Sequence, residues 1–339
     1  MDIGVLGAGT WGIALAKLLC ENRHRVTVWS ALPEEIEWLS GGHEHKNLPG
    51  VKLPQGIEYT ADIEKALGAD FVLFAVPSAF VRSTVRAASP FLREGQIIID
   101  AAKGMESETL FTMTEVIADE MKKCGCTYEP KLVALSGPTH AEEVAIDVPT
   151  GLLAASTDQK KAEFVQDAFM SDTLRVYTSA DPVGAELGAA LKNVIALCAG
   201  ITDGLGFGDN TKAMLMTRGL TEIARLGVAM GAKKETFTGL TGVGDLIVTC
   251  TSMHSRNRRA GILIGKGEDV QTAMKEVGAV VEGYYAAKSA YELGRKMHID
   301  MPITEAAYKV LYEGADARQA VQQLLTRQRK SESENPGWL

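Results

Sequence analysis

The stretch GAGTWG (7–12) fits a GxGxxG pattern, and its surroundings restrict the fold more than any other segment does. It directly follows a short apolar run, IGVL (3–6), and opens an apolar helical stretch. In a strand–turn–helix unit the first glycine allows the tight turn, the second lets backbone approach a pyrophosphate, and the third lets the helix pack on the strand. We therefore expect Gly7, Gly9 and Gly12 to form a dinucleotide-binding turn at the helix N-terminus.

The pattern of apolar residues along the chain changes near residue 180. Before it, short apolar runs alternate with helical patterns, which is typical of a parallel sheet covered on both faces. After it, apolar residues recur at helical spacing and strand signals are scarce. The sequence predicts an α/β Rossmann-like doubly wound domain at 1–180, an all-α substrate and catalytic domain at 181–326, and a flexible tail at 327–339. Predicted strands are 3–6, 25–29, 71–76, 96–100, 131–136, 151–156 and 174–178, predicted helices are 183–200, 211–230, 256–266, 270–277, 283–297 and 303–325, and 40–56 is a predicted loop.

Charge and composition exclude several classes of function. The chain has 43 Asp and Glu against 35 Lys and Arg, which argues against a nucleic-acid partner because phosphate-backbone recognition needs a broad basic surface. Five cysteines without a CxxC pair and six scattered histidines predict no metal site. The longest apolar run, 194–201, is far shorter than the ~20 residues that cross a bilayer. Because the chain reads as a strand by residue 3, without a leader, we expect a cytoplasmic protein with no membrane span.

Three further predicted strands end in small residues, within AVPS (75–78), AAKG (101–104) and SGPTHAEE (136–143). Ligands of open α/β sheets bind outside the carboxyl ends of the strands. Lys103 is the one lysine at these ends. A lysine after a strand is commonly a solvated loop residue, but its place among small residues at a ligand-binding edge favours a functional role.

A second lysine stands in a predicted helix, 183–200, that is otherwise almost entirely small and apolar. Lys192 there either reaches solvent or sits in a dry site with a perturbed pKa. Because desolvation disfavours the ammonium, a buried Lys192 could exchange a proton near neutral pH, with Asn193 orienting a substrate or water. Asp245, which ends the glycine-rich loop 238–245, either caps a helix or accepts a hydrogen bond from a catalytic ammonium.

The segment SRNRR gathers Arg256, Arg258 and Arg259 beside Ser255 and Asn257 in an acidic chain. A guanidinium offers a planar fork of donors suited to a phosphate, and the serine and asparagine can complete such a cradle. A solvated helix face is the plainer alternative. At least one of Arg258 and Arg259 is expected to be a surface charge.

Taken in order, seven stretches resemble the bacterial-type NAD(P)-dependent glycerol-3-phosphate dehydrogenases: GAGTWG, AAKG, LSGPTHAEEVA, ALKNVIALCAGITDGL, GLTGVGDLIVTC, SRNRRAG and VVEG. The resemblance extends over nearly the whole chain. It implies a Rossmann-like domain, a helical domain and a cleft between them. It also implies reversible reduction of dihydroxyacetone phosphate to sn-glycerol 3-phosphate with NAD or NADP, supplying glycerophospholipid synthesis. The oligomeric state stays open, a homodimer being one option.

The resemblance also assigns roles to individual residues. Those at the reacting centre are Lys192 as general acid/base, Lys103 as a second lysine at the reacting oxygen, and Asp245, Asn193 and Thr249 as polar partners. Those that would contact the substrate are Lys103, Gly137, Thr139, Lys192, Asp245, Ser255, Arg256 and Asn257. Those that would contact the cofactor are Gly7, Gly9, Thr10, Trp11, Gly12, Lys103, Ala141, Arg256, Val280 and Glu282.

One difference from the family pattern leaves the choice between NAD and NADP open. Many relatives carry arginines suited to the 2′-phosphate of NADPH where this chain has Ser30 and Ala31. No Asp ends the second predicted strand to bind the ribose hydroxyls of NAD instead. The sequence therefore leaves NAD against NADP unresolved.

Two other functions are compatible with parts of the pattern. A two-domain dehydrogenase of the 3-hydroxyisobutyrate or 6-phosphogluconate type shares the overall plan and a helical catalytic lysine, but it would not predict SRN in register with GDLIVTC. A non-enzymatic redox sensor would bind the dinucleotide alone, and it would leave Lys103, Lys192 and Asp245 unexplained.

Overall fold

The computed structural model describes residues 1–332. Within that range eight strands form one sheet, in which every neighbouring pair is parallel except the sixth and seventh strands. The strands are β1 (Asp2–Leu6), β2 (Arg25–Trp29), β3 (Ile57–Thr60), β4 (Phe71–Phe74), β5 (Ile97–Asp100), β6 (Lys131–Ser136), β7 (Thr150–Ala155) and β8 (Leu174–Ser179). Their spatial order is β3-β2-β1-β4-β5-β6-β7-β8.

Helices cover the sheet and then form the second half of the molecule. Those that accompany the strands are α1 (Thr10–Glu21), α2 (Pro33–Ser40), α3 (Ile63–Leu67), α4 (Val81–Ala88), α5 (Met113–Lys123), α6 (Ala141–Val144) and α7 (Gln159–Phe169). Those that follow are α8 (Pro182–Gly204), α9 (Asp209–Ala229), α10 (Asp245–Thr251), α11 (Arg256–Gly265), α12 (Val270–Val277), α13 (Glu282–Lys296), α14 (Pro302–Tyr312) and α15 (Ala317–Leu325). The predicted Rossmann-like sheet followed by a helical domain is confirmed.

The continuous apolar runs arise because the sheet is buried on both faces. Along β4, Phe71 and Leu73 face one layer, which α1 and α7 cover. Val72 and Phe74 alternate into the opposite layer, which α4 and α5 cover. Burial of such side chains is the main stabilising contribution to the fold. The first six strands run parallel and therefore end at one edge of the sheet, whereas β7 and β8 run in the opposite direction.

Two element predictions were wrong. The four-residue strand β3 was missed because its short sequence, IEYT, follows the aperiodic loop. The predicted helix 303–325 is two helices, α14 and α15, separated at Gly314, which adopts a left-handed φ of 69° that a helix cannot continue through.

The domain limits remain predictions, although the strands end at Ser179 and α8 begins at Pro182. The predicted flexible tail, 327–339, lies outside the described residues from 333 onward. In its described part, Arg327 and Lys330 form ion pairs with Asp300 at 3.1 and 2.8 Å.

Helix α8 is the centre of the second half. By length and composition it could cross a membrane, but 94% of its most apolar window is buried inside the structure, as in the core helix of a soluble protein. Its backbone touches that of α11. A methyl group added at Gly200 would lie 2.1 Å from the carbonyl oxygen of Arg258, and one at Gly261 would lie 2.1 Å from that of Leu197. Only glycine permits this approach, which fixes the start of α11 against α8.

This contact generates a stability prediction. Gly261→Ala is expected to lower the free energy of unfolding by about 1–3 kcal/mol, because α8 and α11 must separate to admit the methyl group. In an uncrowded helix the same change would stabilise by roughly 0.5–1 kcal/mol. Urea unfolding followed by circular dichroism measures the difference.

Gly68→Ala is the matched control. Gly68 ends α3 with a φ of −64°, and the nearest atom to an added methyl group is 3.6 Å away. Its effect is expected to stay within about 0.5 kcal/mol. Equal stability of the two variants would show that the helices do not need this close approach.

Candidate active site

A cleft of about 770 Å³ lies between the carboxyl edge of the sheet and the helical half. Most of the residues predicted to bind ligands line it: Gly9, Thr10, Trp11, Lys103, Thr139, Ala141, Lys192, Asn193, Thr249, Ser255, Arg256, Asn257, Val280 and Glu282. Four predicted residues, Gly7, Gly12, Gly137 and Asp245, are not among the lining residues. The structure thus brings together residues as far apart in the sequence as Gly9 and Glu282.

The glycine turn at one end of the cleft fits a dinucleotide. Gly7 adopts a φ of 122°, and a methyl group added at Gly12 would lie 2.0 Å from the Gly7 carbonyl oxygen. Nothing lies within 4 Å of such a group at Gly9, so the backbone there is open to the cleft. No side chain caps the first turn of α1, and the buried indole nitrogen of Trp11 has no hydrogen-bond partner among the described residues. These donors suit a pyrophosphate and its neighbouring groups.

A single carboxylate behind the cleft surface holds both candidate lysines, which themselves line the cleft. Asp245 is 1% exposed, and its Oδ1 accepts a hydrogen bond from Lys192 Nζ at 2.5 Å. Its Oδ2 accepts one from Lys103 Nζ at 3.1 Å. Lys192 also donates to Thr249 Oγ1 at 2.7 Å. The lysines come from different halves of the molecule, Lys103 after β5 and Lys192 on α8.

Lys103 is held by two further acceptors. Its Nζ donates to the Gly137 carbonyl oxygen at 2.8 Å and to Thr139 Oγ1 at 3.0 Å. Both acceptors follow β6, whose carboxyl end neighbours that of β5. Adjacent parallel strands therefore place the ammonium and its acceptors at one edge of the sheet.

Burial sets the protonation of Lys192. Desolvation lowers the pKa of Lys192 to about 8, the Asp245 carboxylate opposes this shift, and the positive charge of Lys103 adds to it. A proton on Lys192 is therefore exchangeable close to neutral pH.

Glycines let Asp245 reach α8. The turn Leu240–Gly244 leads into α10, and a methyl group added at Gly242 would lie 1.9 Å from the Phe237 carbonyl oxygen. On α8, one added at Gly188 would lie 2.6 Å from the Thr241 carbonyl oxygen. The glycine-rich loop is thus packed directly on the helix that carries Lys192.

A chain of amide hydrogen bonds connects the segment after β5 to the start of α13. Asn193 Nδ2 donates to the carbonyl oxygens of Lys103 and Ala189, both at 3.2 Å. Asn193 Oδ1 accepts from Asn257 Nδ2 at 2.9 Å, and Asn257 Oδ1 accepts from the Gly283 amide at 2.8 Å. Because both N–H groups of Asn193 are bonded to the protein, its side chain orients the surrounding backbone.

The residues of the basic segment SRNRR have two kinds of role: some stabilise helix α11, and others are exposed to the cleft. Ser255 caps α11 by accepting from the Arg258 amide at 3.2 Å. The Arg258 guanidinium pairs with Asp203 at 2.8 Å and is partly buried. Arg256 and Arg259 are exposed, line the cleft, and make no hydrogen bond to the described residues. Of the two arginines whose roles were open, Arg258 therefore supports the helix and Arg259 is exposed.

Glu282 joins the start of α13 to the strand end after β4. Its Oε2 accepts from Ser78 Oγ at 2.6 Å and its Oε1 accepts from the Ser78 amide at 3.2 Å. Burial raises the pKa of Glu282, and the Ser78 bonds and the charge of Arg256 oppose that shift. Val280 lines the cleft just before this contact.

Sequence reasoning missed several cleft residues. Asn47, from the predicted loop, donates to Thr10 Oγ1 at 3.2 Å, and Leu48 and Val51 beside it are buried. His140 also lines the cleft, where burial lowers its pKa. A loop without periodicity and a lone histidine carry no local signal for such a role.

Comparisons with known proteins agree with this architecture. Models of the N-terminal and C-terminal parts of NAD-dependent glycerol-3-phosphate dehydrogenase match residues 2–162 and 181–322. Glycerol-3-phosphate dehydrogenase [NAD(P)+] 2 from Lactobacillus delbrueckii is 55% identical over 97% of this chain and 98% of the relative, and its counterpart from Agathobacter rectalis is 51% identical over 99% of each. The crystal structure of glycerol-3-phosphate dehydrogenase from Coxiella burnetii superposes with a TM-score of 0.91 at 35% identity, covering 96% of this chain and 98% of that one. On these grounds the chain belongs to the NAD-dependent glycerol-3-phosphate dehydrogenase family.

Proposed function

We propose that this protein reversibly reduces dihydroxyacetone phosphate to sn-glycerol 3-phosphate with NADH or NADPH. The observation that carries the proposal is the buried Asp245 carboxylate, which holds Lys103 and Lys192 beside a cleft. The same cleft presents the guanidinium of Arg256, which has no hydrogen-bond partner among residues 1–332. The lysine pair suits a carbonyl group that becomes an alcohol, and the Arg256 guanidinium suits a phosphate. The names of the relatives specify glycerol 3-phosphate as the substrate that is oxidised and NAD(P)+ as the cofactor.

The dinucleotide would lie along the glycine turn. Gly9 offers open backbone, Gly7 and Gly12 set the turn, and Thr10 and Trp11 begin α1 beside it. Further contacts proposed for the cofactor are those of Lys103, Ala141, Arg256, Val280 and Glu282. When bound, the nicotinamide supplies or accepts the hydride, and the protein supplies orientation and charge.

The proposed proton step belongs to Lys192. As an ammonium, Lys192 donates a proton from Nζ to the carbonyl oxygen while negative charge develops on that oxygen. As an amine, it removes the hydroxyl proton in the reverse direction. Lys103 stabilises the developing negative charge. Asp245 and Thr249 hold Lys192 at 2.5 and 2.7 Å, so the proton donor is oriented before substrate arrives. Asn193 is a positioning residue in this scheme.

The substrate phosphate is assigned to the start of α11. Arg256 is exposed to the cleft and free of partners among the described residues, so its fork of donors is open to an anion. Within the described part of the chain Asn257 donates only one of its two amide hydrogens, and the helix N-terminus adds favourable polarity. Ser255 completes the group, and Gly137 and Thr139 are proposed as contacts for the reacting end.

Two finer assignments belong to the same proposal. The product would serve glycerophospholipid synthesis in the cytoplasm, as the family resemblance implies. The enzyme would use NADH measurably, with any preference for NADPH weaker than in relatives carrying arginines at Ser30 and Ala31, because no guanidinium stands there for a 2′-phosphate.

Replacing the proposed acid is the first test. Lys192→Ala is expected to lower kcat by ~10²–10⁴-fold, the range typical of lost general acid/base catalysis. NADH binding, measured by fluorescence, should survive because the glycine turn lies elsewhere in the cleft. Lys160→Ala, at an exposed lysine on α7, is the control and should retain full turnover. Turnover of Lys192→Ala within a few-fold of wild type would remove Lys192 from the mechanism.

The lowered pKa of Lys192 predicts opposite pH profiles for the two directions. The ammonium is the acid in ketone reduction, so kcat/KM for reduction is expected to fall as pH rises through about 8. The neutral amine is the base in alcohol oxidation, so kcat/KM for oxidation is expected to rise over the same interval. The residual activity of Lys192→Ala should lack this transition. Parallel profiles in both directions would contradict the assignment.

The phosphate contact is tested at Arg256. Arg256→Ala is expected to lower kcat/KM for dihydroxyacetone phosphate by at least ~10-fold, because hydrogen bonds between charged groups contribute roughly 1.5–3 kcal/mol. Arg256→Lys should recover part of the loss, since a point charge cannot reproduce the fork. Steady-state kinetics with the phosphorylated ketone measures both variants.

The control for Arg256 is a second substrate. Dihydroxyacetone, which lacks the phosphate, should be a poor substrate of the wild type and should lose little more in Arg256→Ala. Arg175→Ala, on β8 and outside the cleft lining, should change neither. Equal losses for both ketones would show that Arg256 does not recognise the phosphate. Comparable turnover of a hydroxy acid without phosphate would instead favour the 3-hydroxyisobutyrate type of dehydrogenase.

A further inference from the structure

We propose that Glu35 selects the cofactor, and that its carboxylate makes the adenosine end of the site accept the ribose 2′-hydroxyl of NADH and reject the 2′-phosphate of NADPH. This inference rests on the proposed function only in requiring that the glycine turn bind a dinucleotide. It assigns the choice of cofactor to a residue of α2, five positions beyond the place where an acidic residue would end the second strand.

The end of β2 is joined directly to the glycine turn. The Gly7 amide donates to the Trp29 carbonyl oxygen at 2.8 Å, and Trp29 is the last residue of β2. Ser30 therefore lies one residue beyond a hydrogen bond made by the first glycine of the motif. In a dinucleotide-binding sheet this is where the adenosine ribose is recognised.

Glu35 places a carboxylate beside Ser30, at the end of β2. Ser30 is 5% exposed, and its Oγ donates to Glu35 Oε2 at 2.7 Å while accepting from the Leu32 amide at 3.1 Å. Both bonds fold the start of α2 back onto the strand end. Glu35 thus stands in for the acidic residue that the strand itself lacks.

One oxygen of this carboxylate remains available. Glu35 Oε1 makes no hydrogen bond among the described residues, and Glu35 is only partly exposed. A free carboxylate oxygen accepts a hydrogen bond from a ribose hydroxyl, whereas a 2′-phosphate brings ≈ −1.5 to −2 charge toward a like charge. The same atom therefore favours one cofactor and opposes the other.

Nearby cations are not paired with this carboxylate among the described residues, although the positive charge of Lys46 acts on the neighbouring His45. Among residues 1–332, no lysine or arginine forms an ion pair with Glu35, and Lys46 lies over the Trp38 ring at 5.7 Å. His45 faces Glu35 and the Ala8 backbone, but burial lowers the pKa of its imidazole below the ordinary 6.5. Burial therefore disfavours a positive charge on this ring.

The experiment measures cofactor binding without turnover. Dissociation constants for NADH and NADPH are obtained by fluorescence titration of the wild type, Glu35→Gln and Glu35→Asp, with circular dichroism to check folding. The wild type is expected to bind NADH more tightly. Glu35→Gln should strengthen NADPH binding relative to NADH binding by about tenfold or more, since it removes the charge and keeps the shape. Glu35→Asp keeps the charge and should retain the preference for NADH.

Glu34→Gln is the matched control, because Glu34 lies on the same turn of α2 and is exposed. It removes an equal charge and should leave the ratio of the two constants unchanged. Tighter binding of NADPH than NADH by the wild type, or the same ratio in Glu35→Gln and Glu34→Gln, would overturn the role of Glu35. Failure of the wild type to bind either cofactor would overturn the proposed function itself, so the two failures are distinguishable.

Discussion

The proposed active centre depends on one desolvated charge, the carboxylate of Asp245. Burying a carboxylate costs several kcal/mol unless it is paired and fully hydrogen-bonded, and here each oxygen holds a different ammonium. Because Lys103 follows a strand of the sheet and Lys192 belongs to α8, the group can form only when sheet and helices are docked. The two lysines leave one net positive charge, which suits a negatively charged oxygen more than a neutral ketone. The positive charge that would stabilise this oxygen in the proposed reaction is therefore in place before substrate binds.

Close backbone contacts make that arrangement possible. The glycine-rich loop before Asp245 packs on α8 at Gly188, and α11 packs on α8 at Gly200 and Gly261. Each contact replaces a side chain with direct backbone approach, so Lys192 and Arg256 are presented from helices whose separation cannot easily change. Such rigidity limits how far the ammonium and the guanidinium can move apart, which matters for a ligand of only a few atoms.

The sequence predicted the parts of this site that carry their own local signal. GAGTWG lies between a strand and a helix, and Lys192 is a lone cation in an apolar helix, so both patterns have a physical explanation within one segment. The contact between Ser78 and Glu282 joins residues 204 positions apart, and neither residue is unusual in its own segment. The strand β3 and the break at Gly314 were missed because four residues show too little alternation and one glycine interrupts an otherwise helical pattern. What could not be predicted are long-range pairings that depend on how the elements dock.

The amide chain that includes Asn193 and Asn257 has a consequence for how ligands communicate. Lys103 is held at both ends, its carbonyl oxygen by Asn193 and its ammonium by Asp245, while Asn257 continues the chain to the start of α13. The proposed cofactor contact at Glu282 and the proposed phosphate contacts on α11 are thus linked by the hydrogen bond from the amide of the next residue, Gly283, to Asn257. Any shift that one ligand imposes on Gly283 changes the free energy of placing the other. By thermodynamic linkage this coupling is reciprocal: if bound dinucleotide tightens the grip on the phosphorylated ketone, the ketone tightens the grip on the dinucleotide by the same factor.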